Sequence, residues 1–149
     1  MTAVDNHVSS VLTGRTLVVL GPDQTVREAA VLLGHHRIGG APVLDGGRLV
    51  GVFTERDVLQ RVVAVGGDAD ALRVREVMTR EPRTVTPATA LVTAFAMMTE
   101  GNYRHLPVVD GGGSVVAMLS MRDIPPEHRI MHRQWREWTN GQPAPQARA

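Results

Sequence analysis

The stretch Ala41 to Asp57, APVLDGGRLVGVFTERD, is written twice in this chain. Leu106 to Asp123, LPVVDGGGSVVAMLSMRD, repeats it with one extra glycine. Pro42 answers Pro107 and Asp45 answers Asp110, 65 positions on; past the added glycine, Thr54 answers Ser120 and Asp57 answers Asp123, 66 positions on. Repetition of this kind fixes the architecture, because one supersecondary unit has been duplicated and the copies close on each other. A site in one copy therefore has a counterpart in the other.

At 149 residues, the duplication leaves halves of roughly 60 residues, near the lower limit for independent folding, so the halves are expected to share an interface. With 43% hydrophobic but only 3% aromatic residues, the core must be built from Val, Leu, Ala and Met. A net charge of +1 provides no field for nucleic acid or an anionic membrane. No apolar run reaches the ~18 residues of a membrane span, and MTAVDNHVSS lacks a basic-then-apolar signal pattern. The chain has no cysteine, hence no disulfide framework, thiol nucleophile or Cys-based metal site. These features predict a cytoplasmic protein.

Outward from the repeat, Thr16 to Leu20 reads as a short strand stopped by Gly21-Pro22-Asp23. Thr25-Val26-Arg27-Glu28 has the form of a capping box, and Val26, Ala29, Ala30 and Leu33 follow at helical spacing. Pro42–Leu44 and Leu49–Phe53 are strands joined by a Gly46-Gly47 turn, and Glu55 to Val65 returns as a helix. The second copy repeats this order: a short strand in Glu81–Pro87, a helix with Leu91, Ala94, Phe95 and Met98 on one face, then strands Pro107–Val109 and Val115–Leu119. The expected class is thus mixed α/β (α+β), each copy a small sheet with helices. We divide the chain into a lead-in 1–10, copies at 11–66 and 77–125, a linker 67–76, a helix 127–138 and a disordered tail 139–149. Met131, Trp135 and Trp138 form an apolar stripe on that helix, read as packing on the module or on a second subunit.

The chemistry gathers at the end of each second strand, in Thr54-Glu55-Arg56-Asp57 and Ser120-Met121-Arg122-Asp123. The hydroxyl falls where a helix starts, and there free N–H groups and the dipole favour an anion. An ionised aspartate only accepts hydrogen bonds and suits the paired hydroxyls of a ribose, while arginine offers a fork for phosphate. Read from one copy alone, the same residues are better taken as a helix cap with a solvated arginine. Two copies in register strengthen the ligand reading.

Val77-Met78-Thr79, Thr84-Val85-x-Pro87, His105-Leu106-Pro107-Val108-Val109-Asp110 and Ser120-x-x-Asp123 resemble a cystathionine-beta-synthase (CBS) domain. The first copy is similar, through Thr25-Val26-Arg27-Glu28-Ala29, Ala41-Pro42-Val43-Leu44-Asp45 and Gly51-x-x-Thr54-x-x-Asp57. The resemblance implies a tandem pair of CBS domains packed face to face about a pseudo-twofold axis, with two related clefts for adenosyl ligands. It implies AMP, ADP or ATP as ligand, with S-adenosylmethionine or NAD as further members of the class, and no required cofactor. Asp57, Thr54 and Arg56 would hold ribose and phosphate in one cleft, with Thr13 and Ile38 beside the adenine. Asp123, Ser120 and Arg122, with Thr79 and Tyr103, would do so in the other. Arg104 and His105 match positions that reach phosphates across the axis, and here they are expected to favour the cleft of Asp57. The first copy has Gly39 and Gly40 in their place, so the clefts should differ. Ala117 stands where the first copy has Gly51, and its methyl is expected to crowd a ligand.

The His128 and His132 pair, at i and i+4, reads as a solvated helix face rather than a metal site, and His35-His36 as meeting a helix dipole. No phosphate loop, nucleophile motif or carboxylate pair points to an enzyme. Two functions remain: a homodimeric regulatory protein that senses an adenine nucleotide and signals to an unidentified effector protein, or a dimeric scaffold with empty clefts. Nucleic-acid binding through the tail helix is a weaker third.

Overall fold

The computed structural model of the protein describes residues 6–141. Of the tail expected to be disordered, 139–149, positions 139–141 belong to a helix described below and 142–149 lie outside the description, as do the side chains of the apolar stripe Met131, Trp135 and Trp138.

Both copies fold as the patterns predict at their centres. Helix α1, Val26–His36, starts at Thr25, whose hydroxyl accepts the Glu28 N–H at 3.1 Å, and it buries Val26, Ala29 and Leu33. Strands β1, Gly40–Asp45, and β2, Arg48–Thr54, pair antiparallel around Gly46 and Gly47, both at positive φ as a two-residue hairpin turn requires. In the second copy α4, Leu91–Gly101, buries Leu91, Ala94, Phe95 and Met98, and β4, His105–Val109, pairs with β5, Val115–Ser120. The register shift after Val43 recurs after Val108, so even the irregularity is duplicated. Strand β1 lies against both β4 and β5, placing the two sheets together.

The short strands predicted in Thr16–Leu20 and Glu81–Pro87 do not form. Each shrinks to one parallel bridge, Leu20 to Val43 and Val85 to Val108. Leu20 donates to the Pro42 carbonyl at 3.0 Å and accepts from the Leu44 N–H at 2.9 Å. Extending that ladder backwards would require an N–H from Pro42, which has none, and Pro107 stops Val85 in the same way.

The segments ahead of the copies cross over. Val8, in the expected lead-in, is fully buried among Val85, Leu91, Phe95 and Leu119 of the second copy, and its N–H donates to the Thr89 carbonyl at 2.8 Å. Val74, in the expected linker, opens α3, Val74–Val77, and packs into the first copy with Leu20, Val26 and Phe53. Met78 follows it there, and the short strand β3, Thr79–Arg80, adds to the edge of β2. Burying each valine stabilises the foreign core by roughly 1.5–3 kcal/mol.

The ends of the copies differ. Helix α2, Glu55–Val58, runs on into a π-helical turn, Leu59–Val63. After Ser120 only a 3-10 turn, Met121–Asp123, forms before α5, Pro126–Gly141. This helix starts one residue before the expected Glu127, because proline suits a first helical position, and its backbone runs past Trp138. It lies on α4, where His132 is buried with its ring edge-on to Phe95 at 5.2 Å. His132 is therefore a packing residue, not part of a solvated face. Among the described residues no helix is long and apolar enough to cross a membrane.

Candidate functional site

The duplicated corner closes on the same carboxylate bond at both strand ends, while the hydroxyl takes a different N–H in each. Asp57 Oδ2 accepts the Thr54 N–H at 2.9 Å, and the Thr54 hydroxyl accepts the Asp57 N–H at 3.3 Å. Asp123 Oδ2 accepts the Ser120 N–H at 2.7 Å, and the Ser120 hydroxyl accepts from the Arg122 N–H at 3.3 Å. The capping reading is thus correct for both, and it does not compete with ligand binding. Capping consumes one carboxylate oxygen and fixes where the other points.

Two cavities flank the contact between the sheets. One, of about 430 Å³, is walled by Ser120, Arg122 and Asp123; the other, of about 810 Å³, by Thr54, Arg56 and Asp57. Both volumes fall in the range of small-molecule sites, roughly 300–1,000 Å³. Every residue the sequence singled out lines one of them, but the grouping is crossed. Thr13 and Ile38 stand in the Asp123 cleft, and Thr79 and Tyr103 in the Asp57 cleft. The reason is the exchange of leading segments. Thr79 pairs with Val52 of β2, the strand that ends in Thr54, so it must sit beside Asp57.

Arg104 and His105 line both clefts, so they do not single out the Asp57 side. The His105 ring lies on the backbone of Gly39 and Gly40. A Cβ at Gly39 would come within 3.0 Å of Glu55 Oε1, and one at Gly40 within 3.0 Å of His105 Cγ. The glycines are therefore what allows a histidine to occupy the wall between the cavities. Burial pushes the His105 imidazole down, against the opposing pull of Glu55 and Asp123. Burial also pushes the Asp57 carboxyl up, with the Thr54 N–H and the Arg61 charge holding it back.

The cations are not equally available. Arg56, expected to reach a phosphate, donates to the Asn102 carbonyl at the end of α4 at 2.8 Å. Arg61, four residues beyond Asp57 and missed by the sequence reading, lies 3.7 Å from Asp57 Oδ1 and donates to the Val77 and Met78 carbonyls at 2.9 and 3.1 Å. Arg15 and Arg37 in the Asp123 cleft, and Arg83 and Glu81 in the Asp57 cleft, were also missed. Repeat spacing marks two of these, because Arg15 and Glu81 stand two residues after Thr13 and Thr79. Gly51 serves the fold: a Cβ there would lie 2.5 Å from Met78 Sδ and 2.9 Å from the Thr79 carbonyl oxygen. Its counterpart Ala117 lines the Asp123 cleft. Tyr103 packs against Gly101, and its buried hydroxyl has no hydrogen-bond partner among the described residues.

A family model described as CBS domain matches residues 8–64 and 74–124, each match beginning at the valine that crosses to the other core. A mitochondrial CBS domain-containing protein of Arabidopsis thaliana is 34% identical over 107 residues, 68% of this chain, and the matched region spans 52% of that protein's length. The solved structure of a CBS domain protein from Pyrobaculum aerophilum complexed with AMP superposes with a TM-score of 0.75 at 31% identity, covering 86% of this chain and 98% of that one. A CBS domain pair in complex with 5′-methylthioadenosine and S-adenosyl-L-methionine superposes with a TM-score of 0.71 at 25% identity, covering 84% and 98%.

Proposed function

The chain belongs to the CBS-domain family and carries the domain twice; on that premise we propose that it is a non-catalytic regulatory module whose two clefts bind an adenosyl ligand and whose output passes to a partner protein. The observation that carries this reading is the doubled corner, a fixed carboxylate with one oxygen left over by the cap, lining a cavity of ligand size walled by both copies. Asp57 and Asp123 take the ribose hydroxyls, assisted by Thr54 and Ser120. Thr79 and Tyr103 border the base on the Asp57 side, Thr13 and Ile38 on the Asp123 side. Arg104 and His105, shared by both clefts, face the phosphates, and Arg122 supplies a further guanidinium. The complexes of relatives with AMP and with S-adenosyl-L-methionine support an adenosyl ligand. Because each cleft joins elements of both copies, a ligand favours whichever arrangement of the halves it fits better, and that differential affinity is the signal.

The module works as a homodimer in this reading. Leu59 and Val63 on the π-helical turn and Val65 in the turn after it are 61, 65 and 70% exposed, an apolar patch that a second copy would cover. The same patch supports the scaffold reading, in which the engaged carboxylates serve only as caps. Calorimetric titration of AMP, ADP, ATP, NADH and S-adenosylmethionine into the protein and its Asp57→Ala and Asp123→Ala variants separates the two. Saturable binding that one or both variants lose is the expected result; no heat from any ligand in a folded dimer establishes the scaffold.

A further inference from the structure

The clefts carry opposite charges at one pair of related positions. Arg15 lines the Asp123 cleft, and Glu81, 66 positions later, lines the Asp57 cleft. Arg15 Nη2 lies 2.5 Å from Asp123 Oδ1, the oxygen that the Ser120 cap leaves over. The Asp123 side chain is only 7% exposed, so little water is at hand to replace a departing guanidinium. A neutral diol arriving at Oδ1 must displace Arg15 and exchange an ion pair for hydrogen bonds in which only the carboxylate is charged, leaving the guanidinium without its anion. A ligand that brings a phosphate offers Arg15 an equivalent anionic partner, so the displacement costs much less.

Among the described residues the Asp57 cleft has no such plug. Its nearest guanidinium, Arg61, is farther from the carboxylate and is anchored on two backbone carbonyls, so it need not move for a diol to approach. Glu81 puts a negative charge where the other cleft has Arg15.

We infer that Arg15 is the specificity determinant of the Asp123 cleft, a displaceable internal partner that admits phosphorylated nucleosides and excludes unphosphorylated ones. This rests on the adenosyl-binding reading and names the ligand class for one of its two sites.

The test titrates AMP and adenosine into the whole chain with the Asp57 cleft silenced by Asp57→Ala, or by the milder Asp57→Asn should the first variant unfold, with Arg15 intact or changed to Ala. With Arg15 intact, AMP should bind at least about tenfold more tightly than adenosine, the equivalent of one charge-assisted bond. Arg15→Ala should tighten adenosine and weaken AMP, shrinking the preference at least about threefold and leaving the part that Arg104, His105 and Arg122 supply. Arg15 is half exposed, so the variant should keep its fold, and thermal unfolding checks this. An AMP-to-adenosine ratio that Arg15→Ala leaves unchanged overturns the inference alone. Failure of both probes to bind even the unmodified chain overturns the adenosyl reading and the inference with it.

Discussion

After Thr54 the chain enters a helix at once and follows it to Val63, with Val62 closing the first core. After Ser120 it makes three residues of 3-10 turn, and the next helix starts beyond Pro125 and leans on α4 instead. Yet the corners before these divergent ends share the bond from the cap N–H to the carboxylate, at 2.9 and 2.7 Å. The lesson is that the duplicated unit holds its carboxylate bond whatever element comes next in the chain. The cap needs only four residues and a strand end, so the downstream helix was free to change. The clefts themselves differ in the charges brought from elsewhere, Arg15 against Glu81.

The strongest way to break the comparison is through the exchanged segments. Val8→Asp and Val74→Asp each place an uncompensated charge in a core and should cost about 3–5 kcal/mol. Their damage should fall crosswise: Val8→Asp should lower hydrogen-exchange protection in α4, β4 and β5, and Val74→Asp in α1, β1 and β2. Damage confined to the copy nearest in sequence would refute the exchange. A smaller effect comes from the related pair Gly51 and Ala117. Gly51→Ala must push Met78 and the Thr79 carbonyl away and should cost about 1–3 kcal/mol in a denaturant titration. Ala117→Gly should cost only about 0.5–1 kcal/mol, from backbone entropy.

The mildest test uses His105, whose counterpart Gly40 cannot titrate. Burial holds the imidazole below its ordinary value of 6.5, so just under that pH the folded protein binds fewer protons than the unfolded chain. Stability therefore falls as pH drops from 6.5 toward the lowered value, by no more than about 1.4 kcal/mol per pH unit for one proton. His105→Gln should flatten that slope in thermal melts; an unchanged slope would assign it to other groups.

The hairpins and the helices α1 and α4 were legible in the sequence because their causes are local: glycines at positive φ, a threonine cap and apolar spacing. The candidate residues were legible because the repeat displays them twice. The short strands were misread because the obstacle sits on the partner, in the missing N–H groups of Pro42 and Pro107. The pairing of Thr13 with Asp123 and of Thr79 with Asp57 was misread for a related reason. It depends on where Val8 and Val74 are buried, a long-range choice that no local pattern encodes. Arg15, Glu81 and Arg61 lie outside the repeated motif, and only their positions relative to Thr13, Thr79 and Asp57 point to them.

The exchange of leading segments also bears on ancestry. A single copy that kept this arrangement, with its valine lodged in a neighbour, would close its core only by trading that segment with a twin, as a symmetric pair. In such a pair both clefts are copies of one another, and any arginine or histidine gained by one is forced on the other. Two units in one chain escape that constraint. Position 15 can be arginine while position 81 is glutamate, and a histidine can settle over a glycine that has no histidine of its own.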